Sequence, residues 1–315
     1  MTERHFHGDE NAVFSGGGML SVFVCALCLL LLLLPGVSGA KGVESLLEAR
    51  WRQECRDIRA VAGFALLDEG GREAGLHADS PFPLLSVFKL HVAMNVLEKL
   101  SREGGLLTQP VHMPAEQLLP DRYSPMRDAG KGRSMTLPLR EVLRYMIAES
   151  DNNACDILIA RFGGLERVRA TARALGGEPL ELRKNEAGMR DNIYNQYANW
   201  STPRAVVRLL RGFFESPHIE EPYKACLADC MRATTTGGGR LAAGLPPEAR
   251  IGHKTGSSDR SPGGLRFASN DVGFFRLPDG RRVYMAAFVM QSLEKDADTD
   301  ALAAAAARAA YELLR

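Results

Sequence analysis

Charge of one sign is what this chain has least of. Lys and Arg number 39 against 38 Asp and Glu, a formal net charge of +1 over 315 residues. There is no basic stripe of the kind that tracks a phosphate backbone, so nucleic acid is not an expected partner. Cysteine is scarce as well, at six. Cys25 and Cys28 fall in the N-terminal apolar run, which leaves Cys55, Cys155, Cys226 and Cys230. No second Cys/His pair accompanies Cys226 and Cys230 at zinc spacing. Four residues apart on a predicted helix, these two are badly placed for a direct bridge, and buried free thiols are expected. His253 reads as strand packing rather than as a ligand. No metal cluster, organic-cofactor motif or internal repeat is found, so no cofactor is expected. Long apolar runs are absent but for one.

That run extends from Leu20 to Leu34 and ends at Pro35-Gly36. Small residues follow at Ser38 and Ala40, the two positions a signal peptidase reads, so residues 1–40 are expected to be a signal peptide cleaved after Ala40. The run is shorter than the roughly 20 residues a spanning helix needs. Neither Cys25 nor Cys28 is preceded by the small residues of a lipid-attachment site. Residues 1–18 carry Glu3, Asp9 and Glu10 against Arg4, the wrong sign for a leader, which points to Met19 as the true start. The expectation is a periplasmic, monomeric protein with no stable membrane anchor.

Residues 41–315 alternate in character. Val43–Arg56 has a helical pattern. Ala60–Leu67 and Ala74–Ala78 read as strands joined by a turn at Asp68-Glu69-Gly70-Gly71. Helical patterns then run from about Ser86 to Leu100 and over Leu137–Glu149, Ala154–Phe162, Leu165–Leu175, Thr202–Phe214 and Tyr223–Arg232. Strand character returns at Ala249–Thr255, Ala268–Arg276 and Val283–Gln291, before an alanine-rich helix from Asp298 to Leu314. This order predicts an α+β fold: an antiparallel sheet built from both chain ends (about 41–80 and 240–315), covered by helices, with an all-helical lobe (about 81–239) inserted between. A site would lie in the cleft between the lobes.

Four short motifs fall in order along that frame. Ser86 and Lys89 lie one turn apart at the start of a helix, where unpaired N–H groups favour developing negative charge. A lysine amine beside a serine hydroxyl can take its proton and so create a nucleophile for a carbonyl. Ser-x-x-Lys alone is weak, since it recurs at Ser38–Lys41 and Ser292–Lys295. Ser150-Asp151-Asn152 follows in a turn between two helices, Glu186 in a long polar loop, and Lys254-Thr255-Gly256 on a predicted strand. Each has a plain structural use as a cap, a solvated carboxylate or a strand end. The ordered set is what carries information.

With Ser150-Asp151-Asn152-Asn153-Ala154-Cys155-Asp156, Asn185-Glu186-Ala187-Gly188-Met189, Gly252-His253-Lys254-Thr255-Gly256-Ser257-Ser258 and Asn270-Asp271-Val272-Gly273-Phe274, the chain resembles the class A serine β-lactamases over nearly its whole mature length. It looks closest to the branch of the Bacteroides cephalosporinases and PER-type extended-spectrum enzymes. The resemblance implies a β-lactam substrate, a leaning toward cephalosporins, and these roles. Ser86 attacks the lactam carbonyl. Its N–H and that of Ser257 hold the oxyanion. Either Lys89 or Glu186 acting through a water is the acylation base. Ser150 passes a proton to the leaving nitrogen, and Glu186 activates the deacylating water. Asn152 binds the acylamide, Lys254 and Thr255 hold the substrate carboxylate, Tyr123 walls the cleft mouth, and Arg240 reaches toward the carboxylate.

The family places asparagine four residues after the loop glutamate, whereas this chain has Arg190. A cation there can pair with Glu186 and weaken it as a base. Two related readings share the motifs: a peptidoglycan D,D-peptidase, which generally lacks the loop glutamate, and a penicillin-binding sensor that stays acylated.

Overall fold

The computed structural model describes residues 39–315. Residues 1–38, which hold most of the expected signal peptide 1–40 and the expected start at Met19, lie outside the described residues. Five strands form the main sheet: β1 (Val61–Asp68), β2 (Glu73–Leu76), β3 (Gly252–Ser257), β4 (Arg266–Arg276) and β5 (Arg282–Ser292). Their order is β2-β1-β5-β4-β3, with every pairing antiparallel. The two chain ends meet directly in the β1–β5 pair, where Phe64 faces Ala287 and Ala65 faces Ala286.

Both faces of the sheet are covered, which is why its strands read as unbroken apolar runs rather than as alternation. The period of two reappears in what each residue touches. Phe64 and Leu66 of β1, with Met285, Ala287 and Val289 of β5, belong to one core, shared with helices α1 (Gly39–Glu54) and α8 (Asp296–Leu314). Ala65 and Leu67, with Tyr284, Ala286 and Phe288, belong to the other. That second core contains residues of α2 (Phe88–Glu103), α3 (Leu139–Ala148), α4 (Asn152–Arg161), α5 (Gly164–Ala174), α6 (Pro203–Phe214) and α7 (Glu221–Arg232).

Local chemistry sets the helix ends. Thr202 caps α6, its side chain accepting from the Ala205 N–H at 3.1 Å, and Pro203 occupies the first turn. Gly104 ends α2 in the left-handed region at φ 67°. Alanines 306, 307 and 310 are buried along α8, and the Trp51 indole donates to the Ala306 carbonyl at 3.1 Å.

Several expected boundaries move. The strand expected over Ala249–Thr255 runs instead from Gly252 to Ser257. Pro246 and Pro247 open a tight turn through Ala249, and Arg250 follows at φ 48°, so neither segment can enter the ladder. The helix expected from Leu137 starts at Leu139, because Met135–Pro138 pairs with Pro110–Met113 as a small ribbon inside the helical region. Glu186 is not in an open loop. It begins a five-residue helix, Glu186–Arg190, capped by the Asn185 side chain accepting from the Gly188 N–H at 3.0 Å. Cys55, Cys155, Cys226 and Cys230 are free, with Cys155 and Cys230 buried.

Candidate active site

Ser86 sits in a 3₁₀ turn, Leu85–Val87, that leads into α2. The residue before it, Leu85, is held at φ 47°, and Ser150 at φ 60°. Two non-glycine residues in the left-handed region, both at the site, mark backbone strain that the surroundings must enforce. The surroundings are visible. Strand β3 passes so close to the turn that a Cβ on Gly256 would lie 2.5 Å from the Leu84 carbonyl oxygen. Glycine is needed there for approach rather than for a turn. From β4, the Asn270 amide donates to the Pro83 carbonyl at 2.7 Å and the Leu84 carbonyl at 3.3 Å.

Lys89 is fully buried one turn after Ser86. Its ammonium donates to Ser86 Oγ at 2.7 Å and to Asn152 Oδ1 at 2.9 Å, and forms an ion pair with Glu186. Three donors meet three acceptors, so the amine is saturated. Glu186 is brought there from 97 residues away. Its position is fixed by Asp156 of α4, whose carboxylate accepts from the Glu186 and Ala187 N–H groups at 2.8 and 3.0 Å. Burial raises the Asp156 carboxyl above its usual range, and those two N–H groups oppose the rise.

The Ser150-Asp151-Asn152 motif divides its work. The buried Asp151 carboxylate caps α4 through the Ala154 N–H at 2.8 Å and accepts from the Met126 N–H at 2.8 Å. It also accepts from the Ser124 hydroxyl at 2.8 Å. Asn152 turns its side chain to Lys89, while its N–H donates to the Tyr123 carbonyl at 3.1 Å. Tyr123 itself is exposed. Ser150 Oγ accepts from Lys254 Nζ at 3.0 Å. Lys254 is completely buried and also donates to the Thr255 carbonyl at 2.8 Å. Burial holds its amine well below the usual lysine range, the Lys89 charge pushes the same way, and Glu186 pulls against them. Thr255 shares a hydrogen bond with Thr236 at 2.6 Å.

Arg240 is neither solvated nor free. Its guanidinium donates to Asp300 at 2.7 Å, to the Asn270 carbonyl at 2.8 Å and to Ser257 Oγ at 2.8 Å. Its charge therefore stands directly behind Ser257. The expected pairing of Arg190 with Glu186 is not what the structure contains. Lys89 already occupies the carboxylate, and Arg190 leans away toward Asp121, 3.7 Å from its Nε.

Ser86, Lys89, Asn152 and Glu186 thus form one bonded group. Lys254 and Ser150 form a second, and Arg240 and Ser257 a third. Sequence reasoning assigned no role to Asp156, Asn270 or Asp271, although each stands inside a stretch singled out above. Asp271 is buried, faces His253 Nδ1 at 2.9 Å, and accepts from the Leu241 N–H at 3.1 Å. It ties the Lys254 strand to the segment after Arg240. The available signal was polarity: Asn270 and Asp271 interrupt a strand whose other residues are mostly apolar.

A buried lysine on a serine hydroxyl, with a carboxylate on the lysine and a second lysine on another serine, is the equipment of a serine hydrolase that works through an acyl-enzyme. Comparison with known proteins narrows the class. Residues 56–314 match the model of the β-lactamase enzyme family. A β-lactamase of Bacteroides uniformis is 41% identical over 82% of this chain and 87% of its own length. The extended-spectrum β-lactamase PER-1 of Pseudomonas aeruginosa is 34% identical over 73% of this chain and 75% of its own. The crystal structure of a class A β-lactamase from Bacteroides cellulosilyticus superposes with a TM-score of 0.84 at 39% identity, covering 86% of this chain and 98% of that one. The chain belongs to the class A serine β-lactamases, hydrolases that open the β-lactam amide and confer resistance to these antibiotics.

Proposed function

We propose that Ser86 is the acylated nucleophile and Glu186 the base on which both halves of the reaction end. The observation that carries this is the saturated Lys89 ammonium, bonded at once to Ser86, Asn152 and Glu186. An ammonium with all three donors engaged cannot take the Ser86 proton until it has lost one of its own. Glu186 is the acceptor in contact. A proton moves from Lys89 to Glu186, and the freed amine then takes the Ser86 proton as Oγ attacks the lactam carbonyl. A water between Glu186 and Ser86 leads to the same end, with the proton on Glu186.

The tetrahedral oxyanion is held by the Ser86 and Ser257 N–H groups. As the C–N bond breaks, Ser150 protonates the departing nitrogen and is resupplied by Lys254, whose buried amine readily gives up a proton. The proton left on Glu186 replaces the one Lys254 gave up, so acylation as a whole moves one proton from Ser86 to the nitrogen. Glu186, a carboxylate again, takes a proton from the water that attacks the ester, Ser86 Oγ leaves with a proton from Lys89, and Glu186 passes its proton to Lys89, which restores the free enzyme. Asn152 receives the substrate acylamide, and Lys254 and Thr255 receive the carboxylate, with Arg240 acting through Ser257. Tyr123 borders the entrance.

Export to the periplasm belongs to this reading, supported by the apolar run Leu20–Leu34 and the small residues at 38 and 40. No helix among the described residues is long and apolar enough to cross a membrane. A leaning toward cephalosporins belongs to the same reading and rests on the motif resemblance given above. The test is a time course of a chromogenic cephalosporin with the mature protein and with Glu186→Gln. Sustained turnover in the first and a sharply reduced rate in the second is expected, with any acyl-enzyme formed by the variant persisting. Equal turnover by both would remove Glu186 from the mechanism.

A further inference from the structure

Beside Ser86 lies an open cavity of about 190 Å³, bordered by Asn152, Glu186, Arg122, Arg190 and Gln196. Two of these residues are arginines, and they differ in how well they are neutralised. Arg122 is largely buried and lies 3.3 Å from Asp156 and 3.8 Å from Asp121. Arg190 is 61% exposed, and its Nε lies 3.7 Å from the same Asp121. At that separation its guanidinium forms no hydrogen bond among the described residues. A single exposed carboxylate is thus shared, at long distance, between two guanidinium groups. Glu186, which could have neutralised Arg190, is taken by Lys89. Asp156 already accepts two backbone N–H groups.

The position of this under-neutralised cation relative to a substrate follows from Asn152. If the Asn152 side chain holds the acylamide, as proposed above, the acylamino side chain starts in the cavity that Asn152 borders together with Arg122 and Arg190. Arg190 reaches from there to Asp121, the chain neighbour of Arg122. Asp259 borders the cavity as well, next to Ser258 and Ser257 at the end of β3.

We infer that this wall selects β-lactams whose acylamino side chain carries a carboxylate, with Arg190 as the specificity-determining residue. A carboxylate there can accept two N–H bonds from the free end of the guanidinium, a geometry lysine cannot reproduce. Arg190 needs only to swing from a long contact with Asp121, at little cost for an exposed pair.

This inference rests on the acyl-enzyme reading, so the test reads acylation separately from turnover. The probes are benzylpenicillin and its α-carboxybenzyl counterpart, which differ by the carboxylate alone. The second-order acylation rate of each is followed by mass spectrometry on wild type, Arg190→Gln and Asp121→Asn. The ratio of the two rates, carboxylated over plain, is expected to fall roughly three- to five-fold in Arg190→Gln. It should rise in Asp121→Asn, where the competing carboxylate is gone, and shrink in wild type at about 0.5 M salt. A ratio unchanged in both variants overturns the inference while leaving the acyl-enzyme intact. Failure of both penicillins to acylate wild type overturns the inference and the acyl-enzyme reading together.

Discussion

The two faces of the sheet are built from different material. The face shared by α1 and α8 is largely hydrocarbon: Leu47, Trp51, Phe64, Met285 and a row of α8 alanines. The face toward α2 buries Lys89, Asp151, Lys254 and Asn270 completely, while Asp271, opposite Ala287, is buried on the first face with His253 as its partner. Burying apolar area stabilises without regard to direction. Burying a lysine or an aspartate costs free energy unless each partner stands in place, and a buried ion pair is often no better for stability than hydrocarbon of the same volume. The first face therefore supplies the stability that the second consumes in holding charged groups in one geometry. Two of the six described non-glycine residues with positive φ, Leu85 and Ser150, lie on this second side, at the site itself.

The comparison breaks if the hydrocarbon face can be cut without loss of stability. Trp51 is fully buried, packs against Phe64 with ring centroids 5.5 Å apart, and bonds the Ala306 carbonyl. Trp51→Ala should lower unfolding free energy by about 3–5 kcal/mol, the usual range for removing a buried aromatic. It should leave kcat/KM of the folded fraction near the wild-type value. Denaturant unfolding checks the first half and an assay well below the lowered Tm checks the second. A stable variant with impaired catalysis would mean that the two faces are not divided in this way.

Which parts of this plan could be read from the sequence follows from how local the cause is. The β1 and β5 strands and the closing helix were legible because apolar runs and alanine content lie within a few consecutive residues. The Pro110–Met113 and Met135–Pro138 ribbon was not, since four-residue strands carry no period to detect and their pairing depends on the chain around them. Ser86 and Lys89 could be paired on paper because one helical turn joins them. The capture of Lys89 by Glu186 spans 97 residues, and nothing in the spacing foretells it. The partner of Arg190 is hidden in the sequence for the same reason. The distance of Arg190 along the chain from Glu186 suggested a partner, but the competing cation and the alternative carboxylate, Asp121, come from elsewhere in the fold.

Titration sharpens the comparison, because the site-facing helix carries an ionisable group in its interior. His91 on α2 is buried, and burial pushes its imidazole down to about 4, with the backbone at Val87 and Phe88 offsetting only part of the drop. The unfolded chain takes up a proton near the ordinary value of about 6.5. Between these values the unfolded state binds a proton that the native state refuses, so stability falls as pH falls through that window and is complete above it. The loss between pH 7 and pH 4 from this residue alone is about 3 kcal/mol. Other groups titrate over the same range, so the quantity to measure is the difference between wild type and His91→Leu. Unfolding at both pH values should show the variant gaining on wild type as acid is added. Parallel curves would remove His91 from the account.

The smallest effect on stability is expected where a single amide is removed from the scaffold behind the nucleophile. Asn270→Ala deletes the amide that donates to the Pro83 and Leu84 carbonyls. The Pro83 carbonyl loses this donor and the Leu84 carbonyl keeps only the Val87 N–H at 3.1 Å, at a cost of about 1–3 kcal/mol, less than the hydrocarbon face should lose from Trp51→Ala. The catalytic consequence should be the reverse. Leu85 is kept in the left-handed region by what grips the residues before it, and relaxing that grip moves Ser86 relative to Lys89 and to the Ser257 N–H. Acylation, read as kcat/KM, should fall by about ten-fold or more, since displacements of a fraction of an ångström at a reacting atom carry penalties of this order. A folded Asn270→Ala protein with unaltered kcat/KM would show that Gly256 and strand β3 alone hold the turn, and that the polar side of the sheet is more redundant than its bonding suggests.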